Sequence, residues 1–184
     1  IAVFIPEFII FKDNEIRKGF LPRLKLLPAQ LADRMAFLAA LAGGEKEAVS
    51  ICRRLKCPGK LTREIVCLCN LALKEVSADK LSVDRVRREL ATIGRSLDDL
   101  LLLKNLLGRS QEDAEKLSKI DRELDLANLH GLKSLDIDGE DLIKLGFEGE
   151  AIGSALNKLY DAVLCDDLAN ERESLLNRAD TFAK

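Results

Sequence analysis

The chain has 184 residues, of which 47% are hydrophobic, 33% charged and only 4% aromatic, with no Trp and one Tyr; this length and balance suit a buried core of Leu, Ala, Ile and Val. Its net charge of −2 conceals a division: 20 Lys and Arg stand against 13 Asp and Glu through Arg109, and 9 against 18 from Ser110 onward, so a phosphate backbone suits the first part and not the second. The longest apolar run, residues 1–11, is interrupted by Pro6 and Glu7 and is too short to cross a bilayer, which excludes a membrane span there.

That run also lacks the basic start of a signal peptide, and the absence of an initial Met predicts a fragment of a longer protein. Period-3.6 patterns then continue almost throughout, and no stretch alternates with period two, so the prediction is an all-α protein of eight or nine helices. Pro28 suits the first turn of a helix carrying Leu31, Met35 and Leu38, stopped by Gly43 and Gly44. A second helix spans about Glu45 to Lys56 with Val49, Cys52 and Leu55 inward, ended by "CPGK" because Pro58 cannot continue the hydrogen-bond ladder. The third, about Leu61 to Val76, places Leu61, Ile65, Leu68 and Leu71 on one stripe.

The fourth helix, from near Ser82, buries Val83, Val86, Leu90, Ile93 and Leu97 if its period holds, and this puts Arg85, Arg88 and Arg95 together on the opposite face. Ser96 with Asp99, Ser110 with Asp113, and Asn170 with Glu173 read as caps opening further helices. The lone His130, before Gly131, reads as a residue stabilising a helix C-terminus. "GFEGEAIG" has G-x-x-G-x-x-x-G spacing, which is neither the dinucleotide fingerprint nor the P-loop. Gly146 is placed as the glycine just past a helix end, and Glu148 and Glu150 oppose phosphate, so the loop is expected to be a structural turn.

Five cysteines, without paired C-x-x-C spacing, read as reduced small hydrophobes and point to the cytoplasm rather than to zinc or a disulfide framework. In "DIDGED" the Asp136–Asp138 pair imitates a magnesium pair, and Gly139 falls too early for a calcium loop; helix-opening acids are the expected role. The informative segment is basic. "RRLKCPGKLTR" carries Arg53, Arg54, Lys56, Lys60 and Arg63 with no acid between Glu47 and Glu64, and together with Arg85, Arg88 and Arg95 it forms the candidate RNA-binding set. With few aromatic residues, contacts to backbone and shape are expected rather than base stacking.

"IDGEDLIKLGFEGEAIGSALNKLYDAVLCDDLANERESLL" resembles the tail of class II CCA-adding tRNA nucleotidyltransferases, in which an I-x-G-x-D-L segment, a glycine loop, a leucine-rich helix and an N-x-E segment follow in that order. "MAFLAALAGGEKEAVSICRRLKCPGKLTREIVCL" is similar to the helical body of the same family. The resemblance covers about residues 20 to 180 and assigns Gly139, Asp141, Gly146, Gly149 and Gly153 to the tail's structural motif. It implies three parts: residues 1–22 as the remnant leading out of a neck, 23–125 as a helical body and 126–184 as a smaller helical tail.

In that family the catalytic head carries a G-G-x-V-R-D turn and paired metal-binding aspartates, and the neck selects CTP or ATP. Neither matches here, since the Gly43–Gly44 pair runs on into "EKEA". The implied function is therefore the tRNA-binding body and tail, holding the acceptor and elbow side of tRNA and inactive alone. No cofactor is expected in this chain; magnesium and CTP or ATP belong to the head. Homo-oligomerisation is left open. The corresponding part of a bacterial poly(A) polymerase, or an α-helical protein-interaction domain that binds no RNA, is the competing expectation.

Overall fold

The computed structural model describes residues 5–109 and 111–183, and the protein is all-α. Among the described residues there are three short 3₁₀ segments, no strand, and ten α-helices, close to the eight or nine expected: α1 (Asn14–Phe20), α2 (Leu31–Ala42), α3 (Glu45–Arg54), α4 (Gly59–Leu73), α5 (Lys80–Thr92), α6 (Leu97–Leu106), α7 (Gln111–Leu126), α8 (Gly139–Lys144), α9 (Glu150–Leu164) and α10 (Arg172–Ala183). The helix missing from the sequence reading is α1, whose seven residues bury nothing and so carry no apolar stripe. Among the described residues no helix is long and apolar enough to cross a membrane.

The chain forms two compact units, Ile1–Ser77 with Val86–Ser118, and Ala78–Arg85 with Lys119–Lys184, the division falling inside α5 and α7. In the first unit α2, α3 and α4 pack against one another and α6 packs on α4. Phe37, Ile51, Ile65, Leu68, Leu71, Leu100 and Leu103 are fully buried there. The inward face of α2 is Ala32, Asp33, Met35, Ala36, Phe37 and Ala39, which makes room for close helix approach, and Leu31 points outward, contrary to expectation. Leu55 is likewise exposed because α3 ends at Arg54, one residue earlier. Pro28 lies ahead of α2 instead of in its first turn.

The expected Ser96–Asp99 capping box opens α6, with each side chain bonding the other's backbone amide. The expected Ser110–Asp113 cap lies outside the described residues and side chains. Asn170 is not a cap. Its side chain accepts from the Asp136 amide at 3.1 Å and donates to the Ser134 carbonyl at 2.8 Å, tying the chain ahead of α10 to the segment ahead of α8.

In the second unit α8, α9 and α10 pack mutually. Its centre is polar at one point. The fully buried Tyr160 hydroxyl donates to Asp84 Oδ1 at 2.8 Å and accepts the Gly131 amide at 2.9 Å. Tyr160→Phe keeps the ring in place and takes a partner from a buried carboxylate and from a buried amide, so a loss of about 2 kcal/mol is expected in urea unfolding, with little change in m-value.

Candidate nucleic-acid interface

The basic segment is built by two helix ends. α3 closes with the Cys57 amide on the Cys52 carbonyl at 2.9 Å and the Lys56 amide on the Arg53 carbonyl at 3.2 Å, the Schellman arrangement, with Lys56 at φ 51 in the position a glycine usually takes. Pro58 then serves as N-cap of α4 without a side-chain cap, and the first turn of α4 contains no acidic residue. Arg53, Arg54, Lys56, Lys60 and Arg63 are all exposed, so a cationic turn lies beside amides that carry the positive end of the α4 dipole.

The five cations are not equivalent. Arg54 Nε lies 3.2 Å from Glu7 Oε1, and the Ser50 hydroxyl donates to the same oxygen. That hydroxyl, the Glu7 backbone and Arg54 hold the Glu7 carboxyl below its ordinary value against the opposing effect of burial. Arg54 thus pins the N-terminal 3₁₀ segment. Arg53, Lys56, Lys60 and Arg63 make no ion pair among the described residues and are left to solvent or a partner.

The three-arginine face expected on α5 does not exist. Gly94, at φ 69, turns the chain after Thr92, and the Arg95 amide bonds back to the Leu90 carbonyl at 3.0 Å, so Arg95 is beyond the helix end and off its period. Its guanidinium points inward. Nη2 and Nε meet Glu64 Oε1 at 2.5 and 3.0 Å, Nη1 lies 3.4 Å from Asp33 Oδ2, and the Arg95 and Asp33 side chains are 4% and 5% exposed. Burial, partly offset by Arg95, raises the Asp33 carboxyl above its ordinary value. Arg95 therefore leaves the RNA-binding set. Arg85 is exposed and Arg88 half-buried with partners of its own.

In the tail motif, Gly139 is the first residue of α8, close to Ile152, where an added Cβ would lie 3.4 Å from that side chain. Asp138 caps α8 and forms a capping box with Asp141, a pairing the sequence reading missed. Gly146, at φ 90, follows the α8 C-cap as expected, Gly149 is the N-cap of α9, and Gly153 is exposed within α9. Asp141 is the buried member, 7% exposed, and receives Arg172 Nη2 at 2.5 Å. Arg172 was also missed; an arginine opening a helix opposes the dipole, which was the available sign that an acid holds it there.

These contacts decide the fit of the acidic pair to magnesium. Asp136 Oδ2 accepts the Arg172 amide at 3.1 Å, and Asp138 Oδ1 accepts the Glu140 and Asp141 amides at 2.8 and 3.2 Å. Carboxylates oriented toward backbone amides, with a guanidinium beside them, do not fit a metal pair. His130 is exposed, with Nδ1 3.8 Å from Asp125.

A profile described as tRNA nucleotidyltransferase domain 2 matches residues 32–179. The chain belongs to that family. No curated protein and no solved structure matches it. The match takes in every cation of the α3–α4 turn and the whole tail motif, so in this tRNA nucleotidyltransferase domain both lie within family structure.

The Arg172 hydrogen bond is the largest cause holding the Asp141 carboxyl below its ordinary value; burial opposes it, and the Asp138 amide adds to it. A depressed carboxylate contributes stability that is present above the unfolded value near 3.9 and is lost as pH falls through the lower folded value. Acidification from pH 5 toward pH 2 should therefore lower the melting temperature of wild type more than that of Asp141→Asn, followed by circular dichroism.

Proposed function

We propose that the chain is the tRNA-holding body and tail of a CCA-adding nucleotidyltransferase, gripping the acceptor and elbow side of tRNA, with phosphates held at the α3–α4 turn. The observation that carries this reading is the cluster of four exposed cations, Arg53, Lys56, Lys60 and Arg63, around an acid-free helix start. Family membership supports the substrate class. Arg85 on α5 is a second, separate contact. Nucleotide transfer is assigned to other parts of the enzyme, which bring magnesium and CTP or ATP; in keeping with this, Asp136 and Asp138 are engaged with backbone amides at helix starts.

Each neutralised phosphate contributes roughly 0.7 to 0.9 to the slope of log affinity against log salt, so four contacts give a slope of about −3. Fluorescence anisotropy of labelled tRNA across a potassium chloride series measures it. A slope near zero would sink the RNA reading and favour a helical domain that binds a protein partner.

A further inference from the structure

The Schellman closure of α3 has a chemical consequence at its two ends. In that motif the residue three before the helix end and the residue two past it meet in an apolar contact. Here those positions are Cys52 and Cys57, joined through their backbones at 2.9 Å. A bond from the sixth residue back to the first brings the two Cα atoms into the range a disulfide spans, roughly 4.4 to 6.8 Å. The two thiols also influence one another electrostatically. After burial, the nearby Cys57 thiol is the next cause pushing the Cys52 thiol up to about 11. Cys52 is fully enclosed, whereas Cys57 is partly open to solvent.

We propose that Cys52 and Cys57 form a reversible oxidation site, closed to a disulfide by a hydroperoxide and reopened by a dithiol. The more accessible Cys57, as thiolate, attacks a peroxide oxygen; the S–O bond forms, the O–O bond breaks, and water leaves after protonation. Cys52 then attacks the Cys57 sulfenic sulfur, forming S–S and releasing the second water. Two thiols lose two electrons and two protons in all, and the peroxide takes up both. A dithiol reverses the step by exchange. The closed ring encloses Arg53, Arg54, Leu55 and Lys56, so the oxidation state reaches the backbone of the basic turn.

Among the described residues no other two cysteines are joined by a helix-closing backbone bond of this kind. Cys69 is fully buried and its thiol pushed up to about 12 by burial and by Glu45 and Glu47, Cys67 to about 11 by burial and Glu89, and exposed Cys165 lies in the other unit.

The test uses the full folded chain. Hydrogen peroxide treatment is followed by N-ethylmaleimide labelling in denaturant, and then by trypsin, which cuts after Arg53, Arg54 and Lys56 and so separates the two cysteines unless they are bonded. The expected product is peptide 47–53 joined to peptide 57–60, two hydrogens lighter than the separate thiols and lacking two maleimide labels, with dithiothreitol restoring both. Cys57→Ser, a mild change at a half-buried position, should leave Cys52 a thiol at the same dose. The proposal is overturned if both peptides return fully labelled, if either cysteine advances to sulfinic acid without pairing, if another pair forms in preference, or if Cys52 oxidises as fast in Cys57→Ser as in wild type.

Discussion

Arg95→Leu lowers stability by about 3–5 kcal/mol, the largest loss expected from a single substitution at a charged position in this chain. The guanidinium is almost fully enclosed and joins α2, through Asp33, to α4, through Glu64, at the point where the chain leaves α5. Leucine would leave two acids facing each other without their cation in a region of low dielectric, which is costlier than never having buried the trio. The deficit should depend on pH with a definite sign. Losing Arg95 removes what offsets burial at Asp33, raising its folded value further; a raised carboxyl contributes stability that is present below the unfolded value near 3.9 and lost as pH rises through the folded one. Urea unfolding should accordingly show the gap to wild type shrinking as pH falls from 7 toward 4. Asp33→Asn in the Arg95→Leu background should recover part of the loss. A variant within about 1 kcal/mol of wild type at pH 7 would mean the trio is not held as described.

The second large effect concerns binding. Arg53→Glu, Lys60→Glu and Arg63→Glu together should weaken tRNA binding roughly a hundredfold, about 2.8 kcal/mol, and flatten the salt slope by about two units. All three side chains are exposed and hold no ion pair among the described residues, so helical content and melting temperature should stay close to wild type. Arg54 is left alone because it pairs with Glu7, and Lys56 because its left-handed backbone closes α3. On α5 the usable probe is Arg85→Glu by itself. Including Arg95 in a charge reversal there would report the loss of the Asp33–Glu64 cluster, not a lost phosphate contact. Unchanged affinity and unchanged salt slope in the triple variant would remove the α3–α4 turn as the RNA surface.

The sequence by itself determined the helical class, the stops at Gly43–Gly44 and Gly146, the capping box at Ser96, and the basic, acid-free character of residues 53–63. These are local properties: period, capping and glycine conformation act over a few residues and are written in consecutive positions. The tertiary structure alone decided which charges are available. Arg95 looked like a surface residue because its period was extended through Gly94, where the backbone turns; the acids that draw it inward lie on α2 and α4, and nothing local marks them as its partners. Arg54 and Arg53 are adjacent and alike, yet only one meets Glu7, which arrives on a separate segment. Tyr160 and Asp84 find each other in the same way, as do Asp141 and Arg172. A buried charge must find an opposite charge or a hydrogen bond wherever the fold supplies one, and that supplier is chosen by packing in space, which a one-dimensional pattern does not encode.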